Sequence, residues 1–373
     1  MLESVTLHNF KAFVSQGILL RPLTLLTGLN GMGKSSALQS LLLLRQSFLQ
    51  RVLTETEGSG LVLNGDLVQL GTGSDVLFDN ADADEIGITL KSNGQEARWR
   101  FGYDRQADVL RLMAESVVPN SIFTSNLFSN DFHFLEAERV GPRTSFEMAD
   151  FVVREQKQIG TKGQFTAHFL DQYRSTEVSD ALHHPFGRSS TLIHQVTAWM
   201  GDISPGAVIR VEGYGEMDLM RLAFGFERAD TAGDIRYYRS TNVGFGLTYT
   251  LPVLVALLSS PAGALVLLEN PEAHLHPRGQ SYVGELIARV ANVGVQVIVE
   301  THSDHILNGI RIAVKNSLMS PTDVALHFFE RPVDDSESSG VTVVSPQIDS
   351  DGRLDFWPEG FFDEYGKSLQ NLL

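Results

Sequence analysis

No cysteine occurs among the 373 residues of the chain. Its absence excludes a disulfide framework, a cysteine zinc site, an iron–sulfur cluster and a cysteine nucleophile. Long apolar runs are missing too, since residues 41–44 and 264–268 fall far short of the ~20 residues that a membrane-spanning helix needs. The opening sequence MLESVTLHNFKAF lacks a basic start followed by an apolar run, so we expect no secretory signal. We therefore expect a soluble, cytoplasmic protein without a membrane partner.

Positive charge is also scarce. The chain has 29 Lys and Arg against 45 Asp and Glu, which gives a net charge of −16. Proteins that coat nucleic acid without sequence preference are usually basic, because phosphate neutralisation drives that binding. A DNA contact would therefore require a local basic groove, for which Lys91, Arg98 and Arg100 are the candidates in a dimer. The simpler interpretation of the negative charge is solubility.

The hydrophobic pattern predicts an α/β fold. Apolar runs predict strands at 3–7, 18–26, 264–268, 295–299 and 324–329, and helices at 35–48, 247–258, 279–290 and 304–314. Buried strands that alternate with helices favour a parallel sheet, which we expect the N-terminal strands to join. Residues 86–103 alternate in hydrophobicity around Asn93-Gly94 and predict an antiparallel hairpin. The middle of the chain, about residues 105–240, has weaker signals and is predicted to be mostly helix and loop, with one strand at 208–212.

The strongest local motif is GLNGMGKSS at residues 28–36, which fits the phosphate-binding pattern G-x-x-x-x-G-K-S. An apolar strand enters it and a helix follows it. Its glycines let the backbone wrap a phosphate, and the helix N-terminus adds an anion site. Lys34 supplies a positive charge to the β- and γ-phosphates, and Ser35 supplies a hydroxyl to Mg²⁺. The motif predicts ATP and Mg²⁺ as ligands, with nucleotide contacts from Asn30, Gly31, Met32, Gly33, Lys34, Ser35 and Ser36.

The form G-x-N-G-x-G-K-S-S resembles the loop of ABC-type ATPases of the SMC and RecF kind. Residues 7–13, LHNFKAF, are similar to the element that opens those proteins. The resemblance implies a P-loop NTPase of α/β class, with an ABC-type head, a mixed sheet, an antiparallel β lobe and a helical insert. It also implies that Lys11 lies near the phosphates. The alternative is that Lys11 is an ordinary surface lysine.

The apolar run at residues 264–268 continues into ENPEAHLHP, which resembles the Walker B strand and following loop of the same family. Glu269 stands where the family usually has Asp, and it can still bind Mg²⁺ through water. Asn270 stands where the catalytic Glu is usual, and its amide cannot take a proton near neutral pH. Glu272 is then the nearest carboxylate for the role of general base. The alternative is slow hydrolysis by a nucleotide-gated switch.

Two further residues complete the site that the resemblance implies. His302 ends the apolar run in VIVETH and resembles the switch histidine, which contacts the γ-phosphate in this family. Gln69, between the phosphate loop and the later motifs, is the candidate for the glutamine that often completes the Mg²⁺ site. Ser35 and Glu269 are the other candidate metal ligands.

Asn242, Gly244 and Gly246 lie just before an apolar helix and resemble the degenerate signature motif of the family. In ABC-type dimers this helix end points at the γ-phosphate held by the other subunit, where its free N–H groups favour an anion. The resemblance therefore implies a homodimer that closes head-to-tail around nucleotide. These three residues would act in trans.

The resemblance also divides the chain. The ATPase head is expected at 1–75 and 240–332, the β lobe and helical insert at 76–239, and a C-terminal element at 333–373. The tail sequence WPEGFFDE resembles an element on one branch of these ATPases, and packing by Trp357, Phe361 and Phe362 is favoured there over partner docking. Residues 134–143, FLEAERVGPR, look like a further family element. Their Arg139 and Arg143 either bridge to phosphates or cap a helix.

The resemblance implies a switch that controls a separately encoded effector, expected to be a nuclease, in antiphage defence or DNA repair. The insert lacks the heptads of SMC coiled-coil arms, so we expect no such arm, and from the number of residues after His302 we expect no Toprim nuclease of the OLD type. One alternative is an ABC subunit that energises a membrane transporter, against which stand Asn30-Gly31 and the divergent signature. The other is a nucleotide-binding scaffold that hydrolyses ATP poorly, which is indicated by Asn270 at the position where the catalytic Glu is usual.

Overall fold

The structure is a computed structural model that describes residues 1–53, 58–227, 235–331, 340–363, 368–370 and 372. Its helices are α1 (Lys34–Leu49), α2 (Thr166–Gln172), α3 (Leu192–Ile203), α4 (Phe245–Ser259), α5 (Pro277–Asn292) and α6 (Asp304–Lys315). Its strands are β1 (Leu2–Phe10), β2 (Phe13–Leu19), β3 (Leu23–Gly28), β4 (Gly60–Val62), β5 (Glu85–Ser92), β6 (Gln95–Gly102), β7 (Val109–Arg111), β8 (Phe132–Leu135), β9 (Phe146–Glu147), β10 (Ala207–Tyr214), β11 (Leu219–Phe226), β12 (Tyr237–Arg239), β13 (Leu265–Glu269), β14 (Gln296–Glu300), β15 (Val324–Glu330) and β16 (Thr342–Val344).

The chain folds into two compact units. Unit 1 comprises Met1–Ser129, Thr322–Asp349 and Leu354–Leu373, and unit 2 comprises Asn130–Pro321 and Ser350–Arg353. The predicted division into head, insert and C-terminal element stays a prediction. None of the helices in the described ranges is long and apolar enough to cross a membrane.

Unit 1 contains an antiparallel sheet in the order β2-β1-β5-β6. The predicted hairpin is confirmed as β5 and β6, which pair from Glu85 and Gly102 to Ser92 and Gln95. Asn93 and Gly94 between them have φ angles of +51° and +72°, as a two-residue hairpin turn requires. This sheet buries alternate residues on one face, as expected of strands that cover a core on one side only.

The strand predicted over 18–26 is in fact two strands. β2 pairs with β1 in the antiparallel sheet, whereas β3 pairs in parallel with β15. Pro22 lies between them, and proline has no N–H to donate to a ladder. The expectation that the N-terminal strands join the parallel sheet is therefore correct for β3 and wrong for β1 and β2. β16 adds antiparallel to β15, so the sheet is mixed.

Unit 2 contains three parallel strands in the order β14-β13-β8. β13 is central, and its residues from Leu265 to Leu268 are fully buried, as the continuous apolar run predicts. α5 and α6 cross closely at two glycines. A Cβ on Gly284 would lie 2.4 Å from the carbonyl oxygen of Ile306, and one on Gly309 would lie 2.2 Å from that of Ser281.

The middle of the chain holds more sheet than the sequence predicts. β8 pairs in parallel with β13, and β9 to β12 form an antiparallel sheet. The four residues of β8 are all buried, and so short an apolar run carries no periodicity that separates a strand from a loop. The strand predicted at 208–212 is confirmed as β10, whereas the expectation of helix and loop is wrong for β8, β9, β11 and β12.

Candidate functional site

The phosphate loop connects β3 to α1 in unit 1. Gly28, Gly31 and Gly33 all have positive φ angles, of +140°, +77° and +85°. A Cβ on Gly28 would lie 2.4 Å from the carbonyl oxygen of Phe329, and one on Gly33 would lie 2.8 Å from the ring of Phe13. A Cβ on Gly31 would meet nothing within 4 Å. Packing thus requires two of the glycines, while the third faces open space that a ligand can enter.

Lys34 is the first residue of α1 and is only 3% exposed. Its ammonium donates hydrogen bonds to the carbonyl oxygens of Gly28, at 3.0 Å, and Leu29, at 2.7 Å. The lysine thereby holds the loop in a closed curve with a buried positive charge inside it. No side chain caps the N-terminus of α1, so its N–H groups add to the anion-binding potential. This donor set and the open space at Gly31 fit a phosphate group.

Lys11 lies in the turn between β1 and β2, with a φ of +50°. Its ammonium donates to Oε1 of Gln39 on α1 at 2.9 Å. Burial lowers the pKa of Lys11, while the nearby carboxylate of Asp75 raises it. Lys11 is therefore partly buried and tied to the helix that follows the phosphate loop. Gln69, in contrast, is exposed in a loop and pairs through its backbone with Asn64.

Glu269 ends β13 in unit 2, and its register partner at the end of β14 is Glu300. Its Oε2 accepts a hydrogen bond from the N–H of Ala137 at 3.0 Å. The pKa of Glu269 is raised to about 7, mainly by burial; the N–H of Ala137 opposes the rise, the carboxylates of Glu300 and Glu136 add to it, and Arg139 opposes it. The described residues contain no cluster of three or more His, Asp or Glu that could hold a metal alone. The single carboxylate of Glu269 at the strand end fits Mg²⁺, which proteins usually bind through one or two carboxylates together with phosphates.

The loop after β13 carries two buried oxygen atoms without a hydrogen-bond partner among the described residues. Asn270 has a φ of +44° and donates its N–H to the carbonyl oxygen of Glu300 at 2.8 Å, while its Oδ1 has no partner. Oε1 of Glu272 accepts from the N–H of His302 at 2.9 Å, while its Oε2 has no partner. Glu272 is thus fixed by one oxygen and can accept a proton at the other.

His302 is placed by the start of α6. Ser303 is the N-cap, and its hydroxyl accepts from the N–H groups of His305, at 3.1 Å, and Ile306, at 3.2 Å. The cap fixes the first turn of the helix, as serine does at this position. The side chain of His302, just before the cap, is exposed.

The two glycines of the signature segment have different surroundings. Gly244 is the N-cap of α4, and a Cβ there would meet nothing within 4 Å. A Cβ on Gly246 would lie 2.7 Å from the carbonyl oxygen of His274, so packing within unit 2 requires glycine at that position. Asn242 is exposed, and Phe245 between the glycines is 55% exposed. Only the Gly244 end of the segment is open to a ligand.

The sequence leaves two roles open for Arg139, a phosphate contact or a helix cap, and the structure shows instead that it binds main-chain carbonyl oxygens of unit 2. This arginine is 2% exposed. Its Nη1 donates to the carbonyl oxygens of Glu136, at 3.1 Å, and Glu269, at 2.8 Å, and its Nη2 donates to that of Asn270 at 2.7 Å. The sequence signal for Arg139 was the element at residues 134–143. The motif does not predict its partner Glu269, because that residue lies 130 residues further along the chain.

The residues expected to form a basic groove lie on the hairpin of β5 and β6. Lys91 and Arg98 both pair with Glu96, at 2.8 Å and 2.5 Å, and Arg100 pairs with Glu85 at 3.0 Å. The carboxylates therefore offset the positive charge of this face within the single chain.

Two family profiles match the chain. Residues 131–308 match the profile described as "AAA domain, putative AbiEii toxin, Type IV TA system", and residues 319–372 match "Protein of unknown function (DUF3696)". A search of curated proteins finds no match.

Solved structures of SMC heads are similar to the chain. One is the SMC head bound to the C-winged helix domain of ScpA, with 14% identity, a TM-score of 0.55, and coverage of 93% of this chain and 98% of that one. Another is the Smc head domain with an extended coiled coil, bound to the C-terminal domain of ScpA from Pyrococcus furiosus. It has 13% identity, a TM-score of 0.50, and coverage of 100% and 99%. The chain thus has an α/β fold with a mixed sheet that is similar to the fold of these SMC heads.

Proposed function

We propose that the chain is an ATP-binding and ATP-hydrolysing switch protein. The observation that carries the proposal is the phosphate loop, in which the buried ammonium of Lys34 closes a glycine-rich curve that is open at Gly31. An anion in such a curve receives hydrogen bonds from the loop amides and from the uncapped end of α1. The triphosphate of a nucleotide is the anion that the P-loop fold takes.

Named residues supply the parts of the reaction. Lys34 and the loop amides would bind the phosphates, and Ser35, Glu269 and Gln69 are the residues that would hold Mg²⁺. When bound, Mg²⁺ neutralises charge on the β- and γ-phosphate oxygens. In this assignment Lys11, tied to α1 through Gln39, adds a second positive charge.

Glu272 is the proposed general base. Its Oε1 is held by the His302 N–H, and its Oε2 accepts the proton of the attacking water. Oδ1 of Asn270 orients the same water by accepting a hydrogen bond, which an amide can do although it cannot take the proton. The side chain of His302 contacts the γ-phosphate.

The switch is proposed to act as a head-to-tail homodimer. Asn242, Gly244 and Gly246 would close the site of the other protomer, and the open surroundings of Gly244 at the uncapped start of α4 support this role for that residue. Two-fold dimers are the commonest oligomers, and a shared nucleotide would strengthen the interface by mass action.

A separately encoded effector is the proposed output of the switch. The similar SMC heads were solved bound to domains of ScpA, which supports a head that works through a second protein. Antiphage defence or DNA repair is the proposed setting, on the resemblance of the sequence motifs alone. A cytoplasmic nuclease is the proposed effector, by analogy alone.

Calorimetry with ATP and Mg²⁺ tests the proposal. Lys34→Ala should lose most of the binding, because the loop loses both its charge and its internal hydrogen bonds. Lys91→Ala is the matched control, since that lysine lies on β5 and pairs with Glu96. Equal binding by wild type and Lys34→Ala would overturn the assignment. If wild type binds ATP but does not hydrolyse it, the proposed switch enzyme is wrong and the nucleotide-binding scaffold is favoured.

A further inference from the structure

Arg139 is built into the loop that carries the proposed base. Its guanidinium donates to three main-chain carbonyl oxygens, two of which belong to the consecutive residues Glu269 and Asn270. The side chain is nine-tenths or more buried, and burial lowers its pKa to about 10. It therefore stays charged at neutral pH, and hydrogen bonds from a charged donor are the strong kind.

The turn at Asn270 has a positive φ of +44°, which asparagine adopts more readily than most residues other than glycine. The carbonyls of Glu269 and Asn270 flank this residue's Cα, and both point at the one guanidinium. The N–H of Asn270 is fixed independently by the Glu300 carbonyl. These contacts leave the turn with one arrangement, which places the Asn270 and Glu272 oxygens described above.

Tyr249 lies on α4, the helix that begins in the signature segment, and it contacts Arg139. The guanidinium of Arg139 lies over the Tyr249 ring, 5.6 Å from its centroid. The same ring packs edge-on against His274, with centroids 4.5 Å apart. One side chain of α4 thus contacts both the arginine and the loop that follows Glu272. A movement of α4 would therefore shift the contacts of Tyr249 with both Arg139 and His274.

We propose that Arg139 is the positioning residue that holds the loop of Asn270 and Glu272 in its hydrolytic form, with Tyr249 linking that loop to α4. The proposal rests on the proposed function for its catalytic consequence. Arginine is required because its planar fork reaches three carbonyls at once, whereas the ammonium of lysine is a point charge on a flexible stem. The charge of Arg139 also interacts with that of Glu272. Exchange of the loop amides is therefore the readout that separates positioning of the loop from a charge effect on the base.

The test compares two buried arginines. Arg139→Met and Arg139→Lys are matched by Arg45→Met and Arg45→Lys. Arg45 is 4% exposed, has a pKa lowered by burial to about 10, and donates to the carbonyls of Leu127, at 2.6 Å, and Ser129, at 2.8 Å. Replacing either buried arginine should lower the stability of the fold, and thermal unfolding measures this shared effect. Three readouts separate them: the affinity for a non-hydrolysable ATP analogue, kcat, and hydrogen exchange of single amides.

The expected result is specific to Arg139. Its Met and Lys variants should lower kcat by about 10- to 100-fold, the range typical of outer-shell positioning groups, while analogue affinity changes less than about two-fold. The amides of Asn270, Ala273 and His302 should exchange faster, since each is hydrogen-bonded within or by this loop. The Arg45 variants should keep kcat and these amides as in wild type, measured at a temperature where all variants are folded.

A second pair tests the link to α4. Tyr249→Phe keeps the ring and should behave as wild type. Tyr249→Leu removes the ring that contacts Arg139 and His274, and should lower kcat by about three- to ten-fold with faster exchange at Ala273. Equal behaviour of the two variants would remove Tyr249 from the proposal.

The outcomes distinguish this inference from the proposed function. If wild type binds no ATP, or binds it without turnover, the proposed enzyme fails, and the exchange of the loop amides still tests whether Arg139 holds the loop. If exchange at Asn270, Ala273 and His302 is unchanged in Arg139→Met, the positioning role is overturned, whatever happens to kcat. Rescue of kcat by Arg139→Lys to the wild-type level would overturn the need for the fork.

Discussion

The phosphate loop of unit 1 and the strand-end loop of unit 2 are built in different ways. Local contacts hold the first, in which Lys34 bonds to carbonyls five and six residues before it. A distant residue holds the second, because Arg139 bonds to carbonyls 130 and 131 residues after it. A loop that is stabilised by its own residues can be recognised as a sequence motif. A loop that is stabilised by a distant residue cannot, because the stabilising residue lies outside the motif.

The largest expected effect separates two glycines within the phosphate loop. Gly28→Ala should destabilise the fold by about 3 kcal/mol, because its Cβ would lie 2.4 Å from the Phe329 carbonyl oxygen at a φ of +140°. Gly31→Ala should cost about 1 kcal/mol, as expected of a left-handed alanine in open space. Denaturant unfolding of both variants provides the measurement. Equal losses would contradict the assignment of packing to Gly28 and ligand access to Gly31.

Within the strand-end loop, Glu272→Gln should lower turnover by at least about 10²-fold, as expected when a general base is removed. ATP binding should persist, because the phosphate contacts are assigned elsewhere. Asn270→Ala should do less, since Asn270 only orients water in this assignment. Single-turnover phosphate release gives the comparison, and an unchanged rate in Glu272→Gln would transfer the role of base to another group.

Glu269 makes stability depend on pH. The pKa of Glu269 in the folded state, about 7, lies above the reference value of 4.5. Its contribution to the free energy of unfolding is therefore fully present below pH 4.5 and is lost as pH rises through 7. Glu269→Gln removes the buried charge, and without Mg²⁺ it should gain stability relative to wild type, by about 2 kcal/mol at pH 8. The gain should shrink toward zero at pH 5. Urea unfolding at both values tests this, and a gain independent of pH would contradict it.

The smallest expected effect on a single chain comes from Gly244→Asp. Nothing lies within 4 Å of a Cβ at this position, so the monomer should fold and bind ATP as wild type does. The new carboxylate would repel a γ-phosphate at the start of α4 and should block nucleotide-dependent dimerisation. Light scattering with and without ATP measures this. Normal dimerisation of Gly244→Asp, or a wild type that stays monomeric with saturating ATP, would contradict the composite site.

Sequence patterns predict the parts of the fold whose causes are local. The β5–β6 hairpin follows from Asn93-Gly94, and α4, α5 and α6 follow from long runs with clear ends. The patterns fail where a tertiary partner decides. Four buried residues become β8 only because β13 lies beside them, and the run at 18–26 breaks because its halves pair with different strands.

The candidate site shows the same limit. The types of residue at Lys34, Glu269 and Glu272, together with the motifs around them, indicate their chemistry from the sequence alone. The different demands on Gly244 and Gly246 could not be predicted in this way, because only the fold brings the His274 carbonyl against one of them. The role of Arg139 is hidden from the sequence for the same reason.

Phosphate release at saturating ATP and Mg²⁺ is the decisive measurement, because the proposed hydrolysis assigns phosphate binding to the phosphate loop and the base to the strand-end loop. Wild type should release phosphate, and Lys34→Ala and Glu272→Gln should each release it at least about 10²-fold more slowly. Lys91→Ala should match wild type. Equal rates in wild type and both loop variants would contradict the account, since the activity would then reside outside the two loops.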